Sequence, residues 1–252
     1  MRATAAIILG AGKSTRMQSD LPKVLHKLCG KPMLAYVLDA CREAGIETLN
    51  VVVGHQKQSV IDAFAGDGGI NWVEQPEQLG TGHAVMMCAE ALSGHDGDVL
   101  VIAGDMPLVR GETLRRLLDG HRAAEAAVSL ATTRLDDPTG YGRIVRNDQG
   151  GLLRIVEEND CSDEQKAIGE VNISYYCFDC RALFGALEHL RPDNAKGEYY
   201  ITEAVHVLLG EGRRSVILPD VAPEDALGIN SPADLAVVEK VMRRRMNKMQ
   251  PN

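Results

Sequence analysis

The first half of the chain alternates between short apolar runs and amphipathic stretches. Residues 4–9 are β-branched or apolar and stop at glycines, which predicts a buried strand feeding a turn. Residues 10–22 are polar and read as a loop. Leu34, Val37, Leu38 and Cys41 fall on one helical stripe across 33–44, and Gly45 is placed to cap its C-terminus. Residues 49–53 form a second buried strand, a short helix capped by Ser59 runs to Phe64, and residues 70–73 form a third strand. A helix over 82–92, a strand over 99–103 ending at Gly104-Asp105, a helix over 113–123 and a strand over 127–133 continue the pattern. Strands alternating with helices predict a mostly parallel sheet covered on both faces. In such sheets ligands bind beyond the carboxyl ends of the strands. Residues 10–13 and Gly104-Asp105 both fall on that rim.

After residue 135 the texture changes. Residues 142–146 and 152–157 read as strands joined by Asn147-Asp148-Gln149-Gly150-Gly151, a hairpin signature. A strand over 171–178, helices over 182–190 and 202–209, and a last helix over 232–246 capped by Ser231 follow. The expected division is a nucleotide-binding part over 1–135, a smaller lobe over 136–230 that closes a cleft, and a C-terminal helix with a basic tail over 231–252. Arg243, Arg244, Arg245 and Lys248 suit the helix dipole and read as a solvated helix end.

Composition narrows the function. The 252 residues are 45% apolar and 25% charged, as in an ordinary globular protein. A net charge of -8 and only 4% aromatics argue against a nucleic-acid partner, which calls for a basic face and stacking platforms. No run of 18 apolar residues predicts a membrane span, and the apolar run after Arg2 ends too soon at Gly10 for a signal peptide. Six scattered cysteines suit reduced thiols in the cytoplasm. Cys177 and Cys180 make a lone C-x-x-C without a second pair or nearby histidines, so a metal or redox role is disfavoured.

The segment Leu9-Gly10-Ala11-Gly12-Lys13-Ser14-Thr15-Arg16-Met17 carries the most chemistry. It is not a P-loop, because Ile7 stands where the first glycine would be needed. Nor is it a dinucleotide fingerprint, because Thr15 replaces the third glycine. What remains is a glycine turn after a strand, followed by the cations Lys13, Arg16 and Lys23. Glycines let backbone N–H groups approach an anion, and the cations can neutralise phosphate oxygens. Read alone, the segment is equally compatible with an ordinary strand-to-helix turn carrying solvated charges.

At full length this block, with Leu21-Pro22-Lys23-Val24-Leu25 and Gly30-Lys31-Pro32-Met33, resembles the signature of the sugar nucleotidyltransferases. Collinear matches continue through Glu77-Gln78-Leu79-Gly80-Thr81-Gly82-His83-Ala84, Gly104-Asp105-Met106-Pro107-Leu108, Pro138-Thr139-Gly140-Tyr141-Gly142-Arg143-Ile144, Ile155-Val156-Glu157-Glu158, Asn194-Ala195-Lys196-Gly197-Glu198-Tyr199-Tyr200-Ile201-Thr202 and Gly228-Ile229-Asn230. Within the family the chain is most similar to uridyltransferase domains of the bifunctional enzymes that form UDP-N-acetylglucosamine. The resemblance implies an α/β nucleotide-diphospho-sugar transferase fold: a Rossmann-like, mostly parallel mixed sheet with helices on both faces and a smaller sugar-binding lobe. It implies that UTP and a sugar 1-phosphate react with Mg²⁺ as cofactor, releasing pyrophosphate. Leu9, Ala11, Gly12, Gln75, Gly80 and Thr81 would hold the nucleotide. Gly142, Glu157, Asn172, Tyr200 and Thr202 would form the sugar pocket. Asp105 and Asn230 would hold the metal, and Arg16 and Lys23 would act with Asp105 in catalysis. The chemistry agrees: Mg²⁺ favours a carboxylate with phosphates and water, and an anionic attacking phosphate needs no general base.

The sequence departs from the family at three places. Gly10 replaces the usual Ala, Ser14 the usual Gly, and Ile173-Ser174 the usual Thr-Gly after Asn172. The last change touches the sugar pocket and leaves another sugar 1-phosphate, or another nucleoside triphosphate, as an alternative. A catalytically silent nucleotide-sugar sensor is a further alternative, opposed by the presence of Arg16, Lys23, Asp105 and Asn230. No hexapeptide repeat of an acetyltransferase β-helix appears, and the oligomeric state stays open between a monomer and a weak dimer.

Overall fold

The computed structural model describes residues 2–13 and 15–249. The first half contains β1 (Ala3–Leu9), β2 (Lys27–Leu28), β3 (Lys31–Pro32), α1 (Met33–Glu43), β4 (Thr48–Val53), α2 (Lys57–Ala63), β5 (Ile70–Glu74), α3 (Thr81–Met86), β6 (Gly97–Ala103) and α4 (Gly111–Ala123). The second contains β7 (Val128–Arg134), β8 (Gly142–Arg146), β9 (Leu152–Val156), α5 (Asp163–Lys166), β10 (Glu170–Asp179), α6 (Cys180–Leu187), α7 (Ile201–Gly210), β11 (Ser215–Leu218) and α8 (Pro232–Met249).

Seven strands form the path β11-β7-β10-β6-β1-β4-β5, and the β8–β9 ribbon branches from β10. β6, β1, β4 and β5 are parallel, as are β7 and β11, while β10 runs antiparallel between β6 and β7. The mostly parallel mixed sheet read from the sequence is therefore present. Its strands are apolar on both faces because both are covered. Ile8 and Ile102 join Leu34 and Leu38 of α1 and Leu117 of α4 on one face. Ile7 and Val101 join Val85 of α3, Leu183 of α6 and Val205 of α7 on the other.

β10 lies within the stretch assigned to the smaller lobe, yet it sits in the middle of the main sheet. Of the described strands in that stretch, those of the β8–β9 ribbon, with the short α5 against β8, leave the sheet path. The capping box of α5, in which Ser162 and Gln165 bond reciprocally, and the strands β2, β3 and β11 were not anticipated. At four residues or fewer, such elements leave too little periodicity to read.

Local termini follow the chain's chemistry where side chains decide them. Gly45 takes φ +83° after α1, and Ile46 donates back to the Cys41 carbonyl at 3.0 Å, closing the helix in a Schellman-type turn. Ser231 caps α8 by accepting from Asp234 N at 3.2 Å, while the Asp234 carboxylate accepts from Ser231 N and Asn230 N. Ser59, by contrast, is not the cap of α2: the helix starts at Lys57, behind a left-handed Gln56. The helix expected over 82–92 ends at Met86 and continues as turns.

Cys177 packs into the core on one face of the sheet and Cys180 into the core on the other, so the C-x-x-C cannot act as a pair. Burial pushes the Cys180 thiol up to about 11. The basic end of α8 is not uniformly solvated as expected. Arg245 turns inward onto Asp225 and the Leu108 carbonyl, while Arg243 and Arg244 pair on the surface. No helix among the described residues is long and apolar enough to cross a membrane.

Candidate active site

Three strands deliver their loops to one end of the sheet. Gly10, just after β1, donates to the Val52 carbonyl of β4 at 2.9 Å, and Gly104, just after β6, donates to the Leu9 carbonyl at 2.9 Å. The Val24 side chain packs against both glycines. Val24 belongs to the 3₁₀ turn Lys23–Leu25, so this packing holds Lys23 at the rim. Leu9 and Ala11 line the turn from within, and Gly12 and Lys13 are exposed with open space beside Gly12. Ser14, one of the family departures, lies outside the described residues.

Beside this turn stands a second cradle. Gln75 is buried, donates from Nε2 to the Gly80 carbonyl at 3.1 Å and meets His83 Nδ1 at 3.0 Å. Gly80 takes φ +112° and its segment is stitched to the chain entering α7. Tyr199 N donates to the Leu79 carbonyl at 2.8 Å, Gly82 N to the Tyr199 carbonyl at 2.7 Å, and Ile201 N to Thr81 Oγ1 at 3.0 Å. Gln75, Gly80 and Thr81 are therefore one connected unit, and His83 orients the amide as a positioning group.

Three polar side chains from distant segments meet beside Asp105. Lys23 Nζ contacts the Asp105 carboxylate and donates to Asn230 Oδ1 at 2.7 Å. Arg16, on the 3₁₀ turn Thr15–Met17, donates to the same Asn230 oxygen at 2.8 Å. Ile229 N donates to the Asp105 carbonyl at 3.0 Å, which docks the Asn230 loop directly on the Asp105 loop. One carboxylate and one amide oxygen thus converge on one cationic centre. Among the described residues no group of three His, Cys, Asp or Glu gathers elsewhere as a metal site. A hard oxygen pair of this kind matches a hydrated divalent ion that takes its remaining ligands from phosphate and water.

Gly142, Glu157, Asn172 and Thr202 form a further cluster. Thr202 Oγ1 donates to Glu157 Oε1 at 3.1 Å. A Cβ on Gly142 would stand 3.5 Å from Glu157 Oε2 and 3.6 Å from the Asn172 Cβ, so a bare backbone there leaves room between the two. Tyr200 shares the Glu157 environment; its hydroxyl is buried without a protein partner, and burial pushes its pKa up to about 12. An unpartnered buried hydroxyl costs free energy unless a ligand satisfies it.

Asn172 is held from behind. Its Nδ2 meets the buried Tyr176 hydroxyl at 2.5 Å, and its Oδ1 accepts from Ser174 N at 3.2 Å. Tyr176 was missed in the sequence because an aromatic in an apolar strand reads as core. The departure at 173–174 now divides. Ile173 packs into the main core on the face away from Asn172, so it does not join the Gly142, Glu157, Asn172 and Thr202 cluster. Ser174 adopts φ +57° at the β10 irregularity, a conformation that favours glycine.

Burial also raises the Glu157 carboxyl above its ordinary value of 4.5, partly opposed by the Thr202 hydrogen bond. The folded protein therefore holds this proton more tightly than the unfolded chain. Stability falls as pH rises through the ordinary carboxyl range, and the penalty is complete above the raised pKa. Glu157→Gln is expected to melt higher than the wild type near pH 8 and no higher near pH 4, as followed by circular dichroism. An equal difference at both pH values would contradict the burial account.

The model of the MobA-like NTP transferase domain matches residues 6–207. The bifunctional protein GlmU of Geobacter metallireducens is 46% identical over 244 residues, covering 97% of this chain and 51% of that protein. GlmU of Syntrophomonas wolfei is 44% identical over 244 residues, covering 97% and 54%. GlmU of Clostridium perfringens is 43% identical over 244 residues, covering 96% and 53%. The chain spans about half the length of the curated relatives it matches. Together with the sheet and its rim, these matches show that the chain belongs to the MobA-like NTP transferase family and is a nucleotidyltransferase.

Proposed function

We propose that the chain transfers a uridylyl group from UTP to N-acetylglucosamine 1-phosphate, giving UDP-N-acetylglucosamine and pyrophosphate. The meeting of Arg16, Lys23, Asp105 and Asn230 from four separate segments carries this reading. Asp105 and Asn230 would hold Mg²⁺, for which their oxygens are suited. The ion, when bound, offsets charge on the nucleotide phosphates and polarises the phosphorus under attack.

The chain's own groups supply the rest. Leu9, Ala11 and Gly12 offer a close backbone approach to the nucleotide, while Gln75, Gly80 and Thr81 form its second wall. Gly142, Glu157, Asn172, Tyr200 and Thr202 orient the sugar, with Glu157 accepting from a hydroxyl. An oxygen of the sugar phosphate attacks the α-phosphorus as the bond to the β-phosphate breaks, and pyrophosphate departs. The attacking oxygen is already anionic, so no proton need be removed. Arg16 and Lys23 offset the charge that gathers on the transferred and departing phosphates. Catalysis here is positioning and charge neutralisation.

Ser174 favours a second reading, in which the same reaction uses another sugar 1-phosphate or another nucleoside triphosphate. Its side chain stands where the family has glycine, next to the amide that Asn172 presents. A panel of UTP, dTTP and CTP against the 1-phosphates of N-acetylglucosamine, glucose, galactose and N-acetylgalactosamine separates the two. The first reading expects UTP with N-acetylglucosamine 1-phosphate to lead in kcat/KM; a different leading pair would move the substrate and keep the mechanism.

A further inference from the structure

Asp105 and Asn230 lie on two loops that one side chain of the last helix ties together. Arg245 donates from Nη1 to the Leu108 carbonyl at 2.8 Å, and its Nη2 contacts the Asp225 carboxylate. Leu108 follows Asp105 in the loop after β6, and Asp225 precedes Asn230 in the loop before α8. Arg110, two residues beyond Leu108, reaches the same Asp225 oxygen through Nε at 3.2 Å and Nη2 at 3.0 Å. The Asp225 side chain is only 2% exposed, so two guanidiniums hold a buried charge between the loops. The Asp225 side is fixed through backbone as well. Tyr175 donates its hydroxyl to the Asp225 carbonyl at 2.7 Å, and Tyr141 donates to the Ala226 carbonyl at 3.0 Å.

On the reading that Asp105 and Asn230 hold the ion, we propose that Arg245 is a positioning residue for the transfer reaction. Through Asp225 and Leu108 it sets the spacing of the two oxygens that meet at Lys23. Ile229 packs with Val238, Val241 and Met242 of α8, so the helix presses on the Asn230 loop from the same side. A guanidinium suits this place because its planar fork donates in two directions from one rigid group. A lysine ammonium at the same point could satisfy only one partner with good geometry. Partners behind metal ligands typically change metal affinity by about 10–100-fold when removed.

The full chain carrying Arg245→Met keeps the aliphatic stem and loses the fork. Mn²⁺ binding in the presence of UTP, read by electron paramagnetic resonance of the free ion, is expected to weaken roughly 10-fold or more. kcat should fall with it, while KM for the sugar phosphate stays within about twofold, since the pocket of Glu157 and Thr202 is untouched. Arg245→Lys should recover part of both losses. Arg243→Met, which removes a surface pair with Glu239, should leave both unchanged. Unchanged Mn²⁺ affinity and kcat in folded Arg245→Met, or a drop in thermal stability alone, would overturn the proposal. If Arg245→Met does not fold, the same two readings on Arg245→Lys decide, and wild-type values there count against it. Loss of Mn²⁺ in Asp105→Ala with full binding in Arg245→Met defeats only the role of Arg245. Wild-type Mn²⁺ binding in Asp105→Ala defeats the ligand reading and the role of Arg245 with it.

Discussion

Asp105→Ala is expected to lower kcat for pyrophosphate release by at least about a thousandfold, equivalent to about 4 kcal/mol of transition-state stabilisation. The carboxylate brings a full negative charge to the centre where Lys23, Arg16 and Asn230 meet. Without it, on the proposed reading, the Asn230 amide oxygen alone would hold the divalent ion, and Lys23 loses its counter-charge. Both effects fall on the charge developed during transfer. The fold should tolerate the change, because Asp105 is partly exposed at a strand end and its backbone carbonyl, which accepts from Ile229, is retained. Steady-state kinetics with a thermal melt on the same sample check this. A folded variant keeping more than about a tenth of wild-type turnover would remove Asp105 from the metal site.

Gly80→Ala is expected to cost about 3 kcal/mol of stability and to impair nucleotide binding. Two penalties add. At φ +112° and ψ 176° the backbone lies in a region open essentially to glycine alone, a strain of about 1–3 kcal/mol for alanine. A Cβ would also stand 2.5 Å from the Tyr199 carbonyl oxygen and 2.9 Å from the Tyr199 nitrogen. Both are backbone atoms fixed by hydrogen bonds to Leu79 and Gly82, so they cannot rotate away. Overpacking of that kind costs about 1–3 kcal/mol more. Relief would push the segment entering α7 outward and carry Tyr200 and Thr202 with it, so the nucleotide and sugar sides should fail together. At about 2–4 °C per kcal/mol for a chain of this size, Tm should drop by about 6–12 °C. Gly120→Ala is the contrast: it lies within α4 with open space around it and should raise stability slightly. Equal melting of both variants would contradict the contact geometry.

The strands and helices legible in the sequence were those whose period is long enough to show. β1, β4 and β6 are apolar runs ending in glycine or Gly-Asp, and the same glycines are needed where loops cross the strand ends. The rim was therefore readable together with the fold. The place of β10 was not, because an apolar run of this kind carries no mark of its direction or its neighbours. Arg245 was hidden for a different reason. Its partner Asp225 is 20 residues away on the other side of a turn, and a run of arginines at a helix end has an ordinary solvated explanation. The residues proposed for the sugar came from the resemblance alone; nothing in the spacing of Glu157, Asn172 and Thr202 places them side by side. Strand alternation then resolved what the departure could mean. Ile173 points into the core and Ser174 takes the left-handed turn, so the difference at the pocket reduces to one small side chain.

The most direct test is to incubate the purified chain with UTP, N-acetylglucosamine 1-phosphate and Mg²⁺ and to quantify both products by ³¹P nuclear magnetic resonance. The account predicts UDP-N-acetylglucosamine and pyrophosphate appearing in equal amounts, and neither when Mg²⁺ is chelated. Persistence of both substrates in folded protein that binds UTP, or release of inorganic phosphate without a diphospho-sugar, would contradict it.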